Sequence, residues 1–332
     1  MKKILNDPFH YVDELLEGLV AAHPEFYRRT GIGGRVIARP GEARPGKVGI
    51  VTGGGSGHLP VFTGYVGKGL LDACAVGDVF ASPSVDQMAD AIRVANGGAG
   101  VLRLYGNYGG DIMNFDMAGD IVEMEDISTT TVLLTDDVAS APPAEAEKRR
   151  GVAGMVYAFK IAGAAAETGA DLGEVTRIAQ KAADAVRSTG VALTPCIVPQ
   201  AGKPTFSIAE DEMEIGMGIH GEPGVRVGKL EPADRIAGEM IDMILKDRPI
   251  RPGDRISPLV NSLGATPPEE LYILYRTVKQ RIEAAGGEIV MPLVGRYATS
   301  MEMVGVSFTF CWLDEELETY LKAPAECAFW RV

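Results

Sequence analysis

Apolar residues recur along the chain in two alternating patterns, one typical of helices and the other of buried strands. Helical spacing is found at residues 12–20, 151–169 and 171–187. Short apolar runs at 48–52, 101–105 and 131–135 each precede a turn rich in Gly, Asp or Asn, as strands of a buried sheet do. The alternation predicts an α/β protein in which ligands bind beyond the strand ends.

The same alternation starts again after residue 188, with new elements. Strand-like runs lie at residues 191–199, 256–261, 289–294 and 304–312, and helix-like runs lie at 231–246 and 268–285. Apolar residues alternate with Ser307 and Thr309 in the last of these runs, which predicts a half-buried strand. We therefore expect two domains, residues 1–188 and 189–332, each a mixed β-sheet flanked by helices.

Charge and composition narrow the class of protein. A formal net charge of −13 over 332 residues disfavours nucleic acid and anionic membrane as partners. No run approaches the roughly 18 apolar residues of a membrane-spanning helix, and nothing at the N-terminus predicts export. The four cysteines are scattered without a CxxC pair, so we expect buried side chains in a cytoplasmic protein and no metal site.

Two of the four histidines lie in glycine-rich loops, which suggests one bipartite site. His220 lies in the loop 216–224, where both of its ring nitrogens are expected to be accessible. His58 closes the run 53–58, which is expected to follow a strand, and Asp111 ends a third such loop at 106–111.

From spacing alone each loop has more than one interpretation. The glycines at 53–57 either cradle an oxygen or form a tight turn, and they lack the spacing of an ATP or NAD loop. Asp111 fits a general base and, equally, a cap for a helix beginning at Ile112. His220 fits a base, a nucleophile or a turn residue, and no second His or Cys lies at metal-ligand spacing.

Two charged runs lie outside these loops. Asp136-Asp137 is interpreted as a solvated turn rather than a cation site. Lys148-Arg149-Arg150 is interpreted as a solvated face of the molecule.

Several strings of the chain match motifs of one known family. They are Gly53-Gly54-Gly55-Ser56-Gly57-His58, Asn107-Tyr108 with Gly110-Asp111, Asn114-Phe115, Arg149-Arg150-Gly151-Val152-Ala153, Ala201-Gly202-Lys203-Pro204, Gly218-Ile219-His220-Gly221-Glu222-Pro223-Gly224 and Leu263-Gly264-Ala265-Thr266-Pro267. Over almost its whole length the chain thus resembles the substrate-binding subunit of dihydroxyacetone kinase, the DhaK family.

The resemblance implies a covalent mechanism. A ring nitrogen of His220 would add to the carbonyl of a short-chain ketose and hold it as a hemiaminal, which glycerol cannot form. Asp111 would take the proton of the terminal hydroxyl as it attacks phosphorus, and His58 would hydrogen-bond the substrate. The resemblance places four further residues in the pocket: Gly55, Ser56, Gly57 and Gly106.

The resemblance also implies partners. No cofactor would bind to this chain, because a nucleotide-binding DhaL-type subunit carries ATP or ADP with Mg²⁺. In many bacterial systems a phosphotransferase-system protein recharges that nucleotide. The family is commonly dimeric, so a homodimer is expected. Paralogues exist that bind the ketone as co-regulators of transcription, but the presence of Asp111 and His58 favours the enzyme.

Two positions depart from the family pattern. Leu59 stands where the family usually has Glu, and Gly106 stands where it usually has Lys. Loss of that Lys predicts a less cationic and roomier pocket, and hence a preference for a larger ketose such as erythrulose.

Overall fold

The structure, a computed structural model, describes residues 2–332. It contains two mixed β-sheets, one after the other along the chain, with helices packed against both. The predicted α/β fold with mixed, helix-flanked sheets is confirmed. Among the described residues, no helix is both long and apolar enough to cross a membrane. The four cysteines are free and buried, as predicted.

The first sheet has six strands in the order β1-β2-β4-β3-β5-β6. These are β1 Arg28–Thr30, β2 Val36–Ala38, β3 Gly49–Ser56, β4 Ala73–Val79, β5 Val101–Gly106 and β6 Thr129–Leu134. Strands β3 to β6 are parallel, whereas β1 and β2 add to β4 in antiparallel fashion. The loops that follow the four parallel strands therefore meet at one edge of the sheet.

Five helices accompany this sheet: α1 Tyr11–Ala22, α2 Val85–Ala95, α3 Gly109–Glu123, α4 Gly154–Glu167 and α5 Leu172–Asp184. Ser84 and Gln87 form a capping box that starts α2, and the Asp171 side chain caps α5. Helix α4 differs from the others because residues 154–166 are buried on every side. It contacts β3 and β5 of the first sheet and also strands of the second.

The second sheet has the order β11-β10-β13-β7-β8-β9, with β12 also paired to β10. Its strands are β7 Val186–Ala192, β8 Glu212–Ile215, β9 Arg226–Lys229, β10 Arg255–Ser262, β11 Glu288–Ile289, β12 Leu293–Gly295 and β13 Gly305–Leu313. Its helices are α6 Ala233–Asp247, α7 Pro268–Ala284 and α8 Glu315–Lys322. Strands β11 and β12 are parallel to β10, and the remaining pairs are antiparallel.

Two predictions about this sheet were wrong. The strand predicted at 191–199 begins at Val186 and ends at Ala192, because the amides of Leu193 and Thr194 both donate to the carbonyl of Val304 and so break the regular ladder. Strand β13 is buried over all nine residues rather than half-buried. Helix α4 covers the face carrying Ser307 and Thr309, and helices α6 and α7 cover the other face.

The predicted division between residues 188 and 189 falls inside β7. The C-terminal tail also returns to the first half of the chain, where the amide of Glu326 donates to the carbonyl of Lys68 at 2.9 Å. Because α4 and this tail join the two sheets, one large core cluster draws residues from both. The division into two domains stays a prediction.

Candidate functional site

The glycines before His58 belong to a strand, not to a loop after it. Residues 53–56 complete β3, and all eight residues of this strand are buried. A Cβ on Gly55 would lie 2.6 Å from the amide nitrogen of Ala81, and one on Gly57 would lie 2.7 Å from the ring of Phe80. The glycines are thus needed because the turn after β4 approaches β3 closely.

That turn carries Phe80, whose backbone has a φ of +58°. Its amide donates to the carbonyl of Ser56 at 3.0 Å, which joins the ends of β3 and β4. The ring of Phe80 stacks on the imidazole of His58 with centroids 4.8 Å apart. The turn therefore fixes one face of this histidine.

His58 is fully buried and has a defined protonation state. Its Nδ1 lies 2.7 Å from the carbonyl oxygen of Thr299. A carbonyl only accepts, so Nδ1 carries the proton and Nε2 keeps a lone pair. Burial and the neighbouring His220 lower the pKa of His58 to about 3. Because Nε2 is buried with no partner among the described residues, it is poised to accept a hydrogen bond from a bound molecule.

His220 lies between β8 and β9, in a loop that is packed more tightly than its glycines suggest. Met217 and Ile219 of this loop are buried in the core. Nδ1 of His220 lies 2.9 Å from Oε1 of Glu222, and Oε2 of the same carboxylate accepts from the His220 amide at 3.0 Å. The expectation that both ring nitrogens are accessible was therefore wrong, because Glu222 occupies Nδ1.

Glu222 fixes the orientation of the catalytic candidate beside it. Burial raises the pKa of Glu222, but the hydrogen bond from His220 and the positive charge that this ring carries when protonated lower it more, to about 2. The carboxylate is thus ionised and accepts a hydrogen bond from Nδ1 of His220, and Nε2 of that ring has no protein partner among residues 2–332.

Three rings surround His220. Its centroid lies 4.8 Å from that of His58, 4.7 Å from that of Tyr108 and 5.4 Å from that of Phe80, each in an edge-to-face arrangement. The structure therefore brings the two predicted histidines together, although 162 positions separate them in the sequence. A ligand at Nε2 of His220 would lie among aromatic walls.

Asp111 lies in the first turn of α3, which begins at Gly109 rather than at Ile112. The carboxylate does not cap this helix: its Oδ1 is buried and has no hydrogen-bond partner in the part of the chain that the structure describes. Burial raises the pKa of Asp111 to about 6, against the opposing effects of the Ser82 hydroxyl and of the positive charge that His220 carries when protonated. A carboxylate in this state is basic yet ionised at neutral pH.

The two positions that depart from the family pattern have different surroundings. A Cβ on Gly106 would lie 3.1 Å from the ring of Tyr108 and 3.3 Å from the sulfur of Met155. The Tyr108 ring and the Met155 sulfur therefore lie beside the position from which the side chain of the family's Lys would extend. Leu59 lines a separate cavity.

That cavity has a volume of about 610 Å³ and adjoins the histidine pair. Gly57, Leu59 and Thr299 form part of its wall, whereas neither histidine nor Asp111 lines it. We place the candidate site at the histidine pair because the unpartnered Nε2 of His58 lies there.

Of the two charged runs interpreted as solvated, Asp136, Asp137 and Arg149 are buried, whereas Lys148 is exposed as interpreted. Asp136 accepts hydrogen bonds from the amides of Val152 and Gly154, so it holds the start of α4. Asp137 pairs with Arg150. Arg149 is 1% exposed and pairs with Asp247 at 2.6 Å. Long-range pairing makes this burial possible, and sequence spacing does not reveal it.

Sequence reasoning also missed residues within the site itself. It gave no role to Phe80, Ser82, Tyr108 or Glu222. A carboxylate two residues after a loop histidine is a visible signal for Glu222. The other three become apparent only when the sheet edge is assembled.

Comparison with known proteins gives one family. The model of the Dak1 domain matches residues 17–329. The PTS-dependent dihydroxyacetone kinase 1, dihydroxyacetone-binding subunit DhaK, of Listeria innocua is 45% identical over 99% of this chain and 100% of its own length. The D-erythrulose kinase of Mycolicibacterium smegmatis is 45% identical over 98% of this chain, which spans only 56% of that relative.

Solved structures agree with this result. The dihydroxyacetone kinase from C. freundii in complex with AMP-PNP and Mg²⁺ superposes with a TM-score of 0.91 at 32% identity, covering 99% of this chain and 61% of that one. The dihydroxyacetone kinase operon co-activator DhaQ superposes with a TM-score of 0.89 at 33% identity, covering 96% of this chain and 97% of that one.

Proposed function

Because the chain belongs to the Dak1 family, we propose that it is the substrate-binding subunit of a ketose kinase, which captures a short-chain ketose on His220 and presents its terminal hydroxyl for phosphorylation. The observation that carries this proposal is the state of His220. Its Nδ1 proton is held by Glu222, so the lone pair at Nε2 faces the site as a nucleophile.

Capture needs no cofactor. The Nε2 lone pair of His220 forms a bond to the carbonyl carbon, the carbonyl π bond breaks, and its oxygen takes up a proton from solvent water. The ring becomes positive as the bond forms. The Glu222 carboxylate stabilises that charge, because its hydrogen bond from Nδ1 becomes charge-assisted and stronger. Nε2 of His58, which is neutral, accepts a hydrogen bond from a hydroxyl of the adduct.

Transfer of the phosphoryl group then depends on Asp111. Its carboxylate takes the proton of the terminal hydroxyl while that oxygen attacks the terminal phosphorus of a nucleotide, and the nucleoside diphosphate leaves. A carboxylate with a pKa near 6 suits this step better than an ordinary one, because it is a stronger base that is still ionised at neutral pH. Gly55, Ser56, Gly57 and Gly106 supply the backbone close to the adduct.

We propose that the nucleotide, ATP or ADP with Mg²⁺, is bound by a DhaL-type partner subunit. The chain spans only 56% of the D-erythrulose kinase, which leaves room in that relative for a second module. The PTS-dependent relative supports a phosphotransferase-system protein as the source of phosphate. We further propose that the protein is a homodimer. We also propose that it is cytoplasmic, which its four free, buried cysteines support.

The ketose is proposed to be dihydroxyacetone or erythrulose, since kinases for both are among the relatives. Because Gly106 replaces the Lys that the family usually has, we propose that the larger of the two is preferred. Turnover of the two ketoses at equal concentrations, with the same partner subunit, decides between them.

The test is carbon NMR with dihydroxyacetone labelled at its carbonyl carbon. We expect a tetrahedral-carbon signal from the wild type, no such signal from His220→Ala, and a retained signal with strongly reduced turnover from Asp111→Asn. A free-ketone signal alone from the wild type would refute covalent capture by His220. Loss of the signal in Asp111→Asn with normal turnover would refute the assigned roles.

The likeness to the co-activator DhaQ supports a second candidate, a ketose sensor that transfers no phosphate. Both candidates capture the ketone, so the NMR signal does not separate them. Incubation with a nucleotide-binding partner subunit, Mg²⁺ and either ATP or a phosphoenolpyruvate-driven donor does. Formation of ketose phosphate establishes the kinase, and its absence with every donor favours the sensor.

A further inference from the structure

The loop that carries His220 is fastened to the first half of the chain through Arg150. The guanidinium donates from Nη2 to the carbonyl of Gly216 at 2.8 Å, where the loop begins. From Nε it donates to Oδ2 of Asp137 at 2.9 Å. Gly216 has a φ of +78°, and its amide donates to the carbonyl of Gly190 at 2.7 Å. The first residue of the loop is therefore held on both sides.

The same guanidinium reaches further into the loop. A Cβ added to Gly218 would lie 2.5 Å from Nη1 of Arg150 and 2.0 Å from Oε2 of Glu222. The cation and the carboxylate that orients His220 thus pack against one α-carbon. An arginine at this position fixes the backbone and places positive charge near the carboxylate.

Gly151, the residue after Arg150, holds the ring of Tyr108 against the site. The hydroxyl of Tyr108 donates to the carbonyl of Gly151 at 3.0 Å, and its ring contacts His220. The Arg150–Gly151 backbone is itself fixed, because the amide of Arg150 donates to Oγ of Ser140 at 3.0 Å. One short segment therefore sets the position of both the histidine loop and the tyrosine wall.

We propose that Arg150 and Asp137 are positioning residues for ketone capture, which hold the loop 216–224 so that Glu222 orients His220 towards the carbonyl. The proposal rests on the proposed function of His220. Asp137 is 2% exposed and Arg150 is largely buried, so the guanidinium is directed by the carboxylate and not by solvent. Neither residue touches the ketose.

A neighbouring pair provides a matched comparison. Arg149 is buried and forms two hydrogen bonds with Asp247, and its Nε donates to the carbonyl of Ala141. This pair has the same chemistry as Arg150–Asp137, but it makes no hydrogen bond to the loop that carries His220. A general effect of losing a buried ion pair should appear in both pairs, whereas a positioning effect should appear only in one.

The experiment measures the adduct in Arg150→Lys and Arg149→Lys. Lysine keeps the charge but cannot span Asp137 and Gly216 with a planar fork. We expect the adduct dissociation constant, from titration of labelled dihydroxyacetone by carbon NMR, to rise about tenfold or more in Arg150→Lys. In Arg149→Lys the melting temperature should fall while the adduct dissociation constant changes by less than about twofold.

Asp137→Asn is measured alongside, because it keeps the size of the side chain and provides a second route to the same result. With the partner subunit present, KM for the ketose should rise in both Arg150→Lys and Asp137→Asn. An unchanged adduct constant in these folded variants, or an equal change in Arg149→Lys, would overturn the positioning role. Absence of any adduct in the wild type would instead overturn the proposed function, so the two failures are distinguishable.

Discussion

The ring centroids of His58 and His220 lie 4.8 Å apart, but the two Nδ1 atoms have different hydrogen-bond partners, which suit the rings to different proposed roles. Nδ1 of His58 is bonded to the uncharged carbonyl of Thr299, which cannot stabilise a positive ring, and burial keeps this ring neutral. The Glu222 carboxylate gives His220 a counter-charge, which stabilises the positive ring that forms when Nε2 adds to a carbonyl. These surroundings support the proposed roles of His58 as an acceptor and of His220 as a nucleophile.

The pKa of Asp111 predicts the pH below which the proposed reaction slows. The carboxylate must be ionised to accept a proton, and its pKa is about 6, so kcat/KM should fall tenfold per unit as the pH drops below about 6. The Ser82 hydroxyl lowers this pKa, because it favours the ionised form of the carboxylate. Ser82→Ala should therefore move the acid limb to higher pH by up to about one unit. The pH dependence of kcat/KM for both proteins is the measurement.

The Ser82→Ala variant is necessary because Asp137 also has a pKa of about 6, so the pH profile of the wild type alone does not identify the titrating group. Burial raises that pKa and Arg150 lowers it, whereas Ser82 has no part in it. A shifted limb in Ser82→Ala assigns the titration to Asp111. A limb that stays in place means that another group, with Asp137 the first to consider, limits activity in acid.

At the scale of elements, the close approach of β3 to the turn after β4 shapes the site. Gly55→Ala would push a methyl group against the backbone of Phe80 and Ala81 and move the ring that stacks on His58. We expect a loss of about 1–3 kcal/mol in the free energy of unfolding, together with weaker ketone capture. Urea unfolding and the NMR titration measure the two effects.

Gly18→Ala is the matched control, because Gly18 lies in α1 and its added methyl group would meet no atom within 4 Å. Alanine favours helix, so this variant should be as stable as the wild type or more so by up to about 1 kcal/mol. If Gly55→Ala is as stable as Gly18→Ala, then the turn after β4 moves to make room for the methyl group, and packing does not require glycine at position 55.

The elements that sequence predicts well are those whose signal is local. Helices α4 to α7 and strands β3, β5, β10 and β13 carry long or regular apolar patterns, and all of them form. Strand β4 was not predicted, because its small residues have little strand preference and its place between β2 and β3 is fixed by long-range pairing.

The same contrast applies to the site. Glycine loops and the rarity of histidine indicated His58, His220 and Asp111, and the structure brings the two histidines into contact, with Asp111 near enough for His220 to lower its pKa. The Arg150–Asp137 pair was interpreted as solvated charge, since hydropathy cannot show which buried partner a charged residue will find.

For the molecule as a whole, the two sheets share one core through α4 and the C-terminal tail. Trp330 in this tail lies 6.3 Å from the ring of Tyr65 and 6.1 Å from that of Tyr297, one residue from each half of the chain. The core cluster that contains α4 includes residues of both sheets. Separate unfolding of the halves would expose this shared surface at once.

The chain has two tryptophans, which allow this to be tested. Trp312→Phe leaves Trp330 to report on the tail, and Trp330→Phe leaves Trp312 to report on β13. We expect the fluorescence midpoint in urea to coincide with that of far-UV circular dichroism within each variant, because both sheets unfold together. Two separated transitions would show instead that the halves are independent domains, as the division after residue 188 predicts, and that α4 stays folded with only one of them.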